Sequence, residues 1–118
     1  MSVQTGAIAA GGADPVVRIW DPRSAGVTPV HHLVSHTAWV SALKWCPGKE
    51  EQLLSASYDG SWKVWDLRTA VPLHTVEAHS DKVLCADWSG ETSVVSGGAD
   101  SQLRTFSYDD KKGVEADV

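Results

Sequence analysis

Long apolar runs, basic clusters and cysteines in metal-binding spacing are all missing from this sequence. No apolar run approaches the roughly 20 residues that cross a bilayer, and the opening MSVQTGAIAA lacks the basic flank of a secretion signal. A soluble, intracellular chain is therefore expected. The longest run of Lys and Arg is Lys111-Lys112, and ten Lys and Arg stand against fifteen Asp and Glu, for a formal charge of −5. Without the concentrated basic stripe of a nucleic-acid binder, a protein partner fits better than a phosphate backbone. The only cysteines, Cys46 and Cys85, are far apart and belong to no CxxC, so reduced, packed thiols and no metal are expected. Nor does any segment hold a sustained helical period.

What the chain has instead is repetition. GGADPVVRIWD (Gly11 to Asp21), SASYDGSWKVWD (Ser55 to Asp66) and SGGADSQLRTFS (Ser96 to Ser107) each set a turn Asp six residues ahead of an aromatic. The pairs are Asp14 with Trp20, Asp59 with Trp65, and Asp100 with Phe106. VHHLVSHTAWVSALKW (Val30 to Trp45) and LHTVEAHSDKVLCADW (Leu73 to Trp88) superpose without a gap at an offset of 43. That register lays His36 on His79, Val40 on Val83 and Trp45 on Trp88. Self-similarity at about 40 to 45 residues is the period of a β-propeller blade.

Short alternating stretches rich in β-branched and aromatic residues, separated by Gly, Asp, Pro and Ser, read as strands. Ten are expected: 7–12, 16–20, 30–34, 40–45, 52–57, 61–66, 73–77, 83–88, 93–97 and 102–107. Lettered from the inside of a blade outward, they fall in the order bcd, abcd, abc. The division that follows is a partial blade over 1–34, a complete blade over 35–78, a last blade over 79–108 without its d strand, and a polar tail over 109–118.

The His, the turn Asp and the terminal Trp-Asp resemble the WD-repeat signature, whose family pins each blade with a buried His-Ser-Asp-Trp network. The resemblance implies that His36, Ser55, Asp59 and Trp65 form that network in the middle blade. The chemistry is suitable: the indole donates, Ser and His can each accept and donate, and the carboxylate ends the relay as an acceptor. A polar group left alone inside a blade would cost roughly 1 to 3 kcal/mol. In the last blade His79, Ser96 and Asp100 are present, but Phe106 replaces the indole donor. The first blade offers Asp14 and Trp20, with Ala10 where Ser would stand. Trp62, at the position of Val17 and Leu103, is read as blade-to-blade packing.

Closed rings of this kind need about seven blades, so an all-β, partial WD-repeat propeller of about two and a half to three blades is expected, not a closed ring. The same reading makes the chain the C-terminal part of a longer protein, with the remaining blades supplied by its other residues or by another chain. SHTAWVSALKW, LLSASYDGSWKVWDLR, AHSDKVLCADW and SGGADSQLRTFSY resemble the C-terminal blades of the WD-repeat subunit family of the Pescadillo–Bop–WD-repeat complex. That resemblance implies a non-catalytic scaffold, without cofactor, for maturation of the large (60S) ribosomal subunit and pre-rRNA processing in the nucleolus and nucleoplasm. Its implied partners are a Bop-type propeller protein, Pescadillo and the pre-60S particle. The family's N-terminal ubiquitin-like domain has no counterpart in these residues.

In propellers the residue before the turn Asp and the residue before the first strand's Val look out from the top face. Here these are Tyr58 and Trp39 in the middle blade, with Ala99 and Lys82 as the last blade's equivalents. An exposed Trp beside a Tyr makes a candidate docking point, although Trp39 could merely cap its own blade. A rival reading comes from WDPR and WDLR, which match the WDxR motif of cullin-4 ubiquitin-ligase substrate receptors. Arg23 and Arg68 would then grip carboxylates on the ligase adaptor. An enzyme would have to recruit His31, His32, His36, His74 and His79. The first two point to opposite faces of a strand, and His36 and His79 belong to the repeat, so no catalytic site is expected. Direct RNA contact would rest on Arg18, Lys63 and Arg104, which recur at one strand position. Three separated cations in an acidic chain suit solvated strand faces better than a phosphate track.

Overall fold

A computed structural model describes residues 8–21, 31–49, 51–67, 72–90, 92–109 and 113–116. Among them the chain is all β, with eleven strands in three antiparallel sheets and no helix. The first sheet holds β1 (Ile8–Gly12), β2 (Asp14–Trp20) and β3 (His31–Val34). The second holds β4 (Val40–Trp45), β5 (Gln52–Ser57), β6 (Trp62–Asp66) and β7 (Pro72–Val76). The third holds β8 (Val83–Trp88), β9 (Ser93–Gly98), β10 (Leu103–Asp109) and β11 (Gly113–Ala116). All three sheets are meanders in which each strand pairs with its neighbour in the chain.

One expectation fails here. The segment after β10 was expected to be a polar tail and the last blade to lack its outer strand, but β11 pairs antiparallel with β10, Tyr108 opposite Val114 and Phe106 opposite Ala116. Backbone hydrogen bonding along an open edge, rather than apolar patterning, places this strand. The last sheet therefore has four strands.

The turn Asp explains why each hairpin closes where it does. Asp14, Asp59 and Asp100 each accept the backbone N–H two residues on, from Val16, Ser61 and Gln102 at 2.9, 2.9 and 3.1 Å. A carboxylate in this Asx geometry takes the place of a backbone turn. The repeat extends to irregularities, since β4 and β8 each slip register near their start, between Val40 and Ala42 and between Val83 and Cys85.

The sheets stack through their faces, with the middle one sandwiched. Val40, Leu53 and Trp65 pack against Val17, Ile19 and Leu33 of the first sheet. On the opposite face Leu54, Ala56, Trp62 and Val64 pack against Val83, Val94, Phe106 and Tyr108 of the third. Because both faces are covered, every residue of β5 and β6 is buried. Among the described residues the last sheet is covered on one face only: Leu103, the positional equivalent of Trp62, is 69% exposed, and Cys85 is also exposed.

At the seam between the second and third sheets the chain needs a glycine. Gly60 has φ +87°, and a Cβ there would meet the His79 carbonyl oxygen at 2.8 Å and that of Asp81 at 3.3 Å. Its own carbonyl accepts the His79 N–H at 3.0 Å, so the approach cannot simply widen. The corresponding turn of the last blade holds Ser101 at φ 66°, exposed to solvent. Gly60→Ala is expected to cost about 2 kcal/mol, from left-handed strain and the carbonyl clash together. Ser101→Ala, with strain already present, should change stability by less than about 0.5 kcal/mol. Urea denaturation of both variants checks the contrast, and similar losses would contradict it.

Candidate functional site

The middle blade brings His36, Ser55, Asp59 and Trp65 into one relay. Trp65 Nε1 donates to Ser55 Oγ at 2.7 Å, Ser55 Oγ lies 2.7 Å from His36 Nε2, and His36 Nδ1 lies 3.0 Å from Asp59 Oδ2. Because the carboxylate can only accept, Nδ1 carries the proton and the Ser55 hydroxyl donates to Nε2. The carboxylate also takes the Thr37 and Ser61 backbone N–H groups at 3.1 and 2.9 Å, and the Ser61 hydroxyl at 2.6 Å. β5 supplies Ser55, β6 supplies Trp65, and the turns before β4 and β6 supply His36 and Asp59. The relay thus ties two strands and two turns together.

The electrostatics follow. Burial pushes the Asp59 carboxyl up, but the Ser61 hydroxyl and amide, the His36 ring and the Thr37 amide outweigh it and hold the pKa at about 2. Burial lowers the pKa of His36 against the pull of Asp59, so its neutral form is favoured.

Ser55, His36 and Asp59 have the connectivity of a hydrolytic triad, yet the arrangement is closed to chemistry. Ser55 is 0% exposed, and its oxygen already accepts the Trp65 indole. A triad nucleophile must reach a carbonyl carbon and have oxyanion donors beside it. This hydroxyl reaches only its own blade.

In the last blade His79 Nδ1 lies 3.0 Å from Asp100 and His79 Nε2 lies 2.9 Å from Ser96 Oγ, while the Ser80 N–H donates to Asp100 at 3.0 Å. Phe106 ends that relay without a donor. In the first blade Asp14 pairs with Arg18 at 3.0 Å on the surface, and Trp20 is half-buried. These two residues are not joined in a relay.

Trp39, Tyr58 and Lys82 do come together, on the surface. Trp39 is 55% and Tyr58 37% exposed, their rings stacked at 6.1 Å and 21°. Lys82 Nζ lies over the Tyr58 ring at 5.3 Å. The cations considered for RNA are engaged within the chain: Arg18 with Asp14, buried Lys63 with the Thr75 hydroxyl at 3.2 Å, and Arg104 with the Ala78 carbonyl at 2.9 Å. Arg23 and Arg68 of the WDxR reading lie outside the described residues.

Sequence reasoning missed Tyr108. It is buried, donates to Gln52 Oε1 at 3.0 Å, and meets His74 and Trp88 edge-on at 5.5 and 5.4 Å with Lys49 over its ring. It is a node joining the second and third sheets. Its partners belong to three separate segments, around Gln52, His74 and Trp88, so no local signal could have marked it.

Comparison with known proteins adds a family and relatives. The family model described as WD domain, G-beta repeat matches residues 27–66 and 70–107. A "Ribosome biogenesis protein WDR12 homolog" of Oryza sativa subsp. japonica is 58% identical over 97 residues, 81% of this chain and 22% of that protein. The protein of the same description from Arabidopsis thaliana is 57% identical over 101 residues, covering 85% and 23%. That from Ixodes scapularis is 44% identical over 103 residues, covering 86% and 24%. The chain thus spans about a quarter of the length of these curated relatives.

Proposed function

Since the chain belongs to the WD-repeat family, with two matched repeats over residues 27–66 and 70–107, we propose that it is a scaffold segment of a ribosome biogenesis factor. Its role is to dock protein partners during assembly of the large (60S) subunit and pre-rRNA processing, in the nucleolus and nucleoplasm. The partners proposed are a Bop-type propeller protein and, through it, Pescadillo and the pre-60S particle. No reaction is assigned to it. The names of the relatives support ribosome biogenesis. The carrying observation for docking is the Trp39–Tyr58 stack, which leaves a large aromatic surface in solvent on a turn fixed by internal hydrogen bonds. Trp and Tyr anchors of this kind carry a disproportionate share of binding energy because they present much area at little rotamer cost.

The test is capture of the Bop-type propeller by the chain joined to its remaining blades. Trp39→Ala with Tyr58→Ala is expected to weaken capture by at least about tenfold, with the circular dichroism spectrum unchanged. Undiminished capture would move the interface elsewhere.

A further inference from the structure

The aromatic stack is joined by a cation from another sheet. Trp39 and Tyr58 belong to the turns of the middle blade and Lys82 to the turn before β8, so the patch straddles the seam between two blades. Each part is tied down. The Tyr58 N–H donates to the Trp39 carbonyl at 2.9 Å, and Ser57 Oγ donates to the same oxygen at 2.9 Å. The Lys82 carbonyl accepts the Ala99 N–H at 2.8 Å, and its own N–H donates to Asp81 Oδ1 at 2.8 Å. The His79 to Gly60 bond, at 3.0 Å, stitches the two turns together.

The ammonium of Lys82 meets a ring face and, among the described residues, no carboxylate. It is a cation held against an aromatic surface. We propose, resting on the docking role assigned to Trp39 and Tyr58, that this seam recognises a single carboxylate side chain presented beside an apolar residue on a protein partner. The apolar group would cover the exposed face of Trp39, and the carboxylate would meet Lys82. Covering the patch also removes water from the ion pair, which strengthens it relative to an open surface pair. A basic partner is disfavoured by Lys82 itself. A polyanion such as RNA is disfavoured because the patch offers one cation, with the exposed Asp81 beside it.

The experiment measures fluorescence anisotropy of the chain with three labelled probes: a peptide of repeated Glu-Phe-Gly-Ser units, the same peptide with Lys for Glu, and an oligouridylate. The acidic peptide is expected to bind best, with affinity falling as salt rises. Lys82→Glu should weaken it about tenfold, while Lys82→Arg should retain it. Equal or tighter binding of the basic peptide or the RNA would overturn the inference. So would no binding of the acidic peptide at about 1 mM, or indifference to Lys82→Glu. In the capture assay the two readings separate. Loss with the aromatic substitutions but not with Lys82→Glu would sink only the carboxylate inference, whereas no loss with the aromatic substitutions would sink the docking role beneath it.

Discussion

Trp62→Ala is expected to destabilise the chain by about 4 kcal/mol, and Trp62→Phe by no more than about 1 kcal/mol. Trp62 is 0% exposed and meets Phe106 edge-on at 5.1 Å and 79°. It fills the space between the second and third sheets together with Ala56, Val64 and Val94. Truncation to Ala would leave a cavity lined by strands whose positions are fixed by two other hairpins, so collapse is restricted and most of the cost is retained. Both substitutions remove the indole N–H, so the ring that Phe retains against Phe106 tells them apart. Among the described residues Trp62 Nε1 is buried without a hydrogen-bond partner, and such a group carries a desolvation penalty of about 1 to 3 kcal/mol. Phe keeps the edge contact and removes that penalty, offsetting the area it loses. Guanidinium denaturation of both variants gives the comparison, and equal losses would mean that neither the retained edge contact nor removal of the unpaired N–H offsets the area that Phe loses.

Asp59→Ala is expected to cost about 3 kcal/mol, because it leaves His36 Nδ1, the Thr37 and Ser61 amides and the Ser61 hydroxyl without their shared acceptor. Asp14→Ala should cost clearly less, since its partners, Arg18 and the Val16 amide, are reached by solvent. Acid should imitate the Asp59 substitution. The carboxyl is held at about 2, below the ordinary 3.8. Its contribution is therefore complete above pH 3.8 and disappears as pH falls through 2. His36, whose folded pKa is lowered from 6.5, adds a second loss with the same sign, beginning below that ordinary value. Thermal unfolding of the native chain should thus fall in steps toward acid, and in Asp59→Ala the lower step should shrink to what Asp14 and Asp100, also held below the ordinary carboxyl value, contribute. Persistence of that step undiminished would assign it to another carboxylate.

Much of this architecture was legible from spacing because each blade repeats one solution to one problem. Turn Asp residues recur at the Asx position, and β-branched and aromatic residues between turn residues mark the strands. The Trp39–Tyr58–Lys82 patch could be placed by offset alone, since Lys82 follows His79 as Trp39 follows His36. Two things were not legible. β11 carries no alternating apolar pattern and is held by backbone pairing with β10, a property that side-chain periodicity does not report. Tyr108 draws its environment from Gln52 and His74, which only the stacking of the sheets brings to it, and from Trp88, two strands away in its own sheet. The basic mark at Arg18, Lys63 and Arg104 was visible, but its use was not. A linear pattern gives the position of a cation without saying which acceptor it meets.

Gly60 makes the blade sequence directional. The middle turn gives up its side chain so that the backbone of its successor can press against it, at 2.8 Å from where a Cβ would stand. Ser101, in the matching place, has kept one. These repeats are consequently not beads that can be shuffled. A gene rearrangement that set the last blade ahead of a blade entering as the third now does would drive a serine into a carbonyl, whereas duplicating the middle blade would propagate a compatible joint.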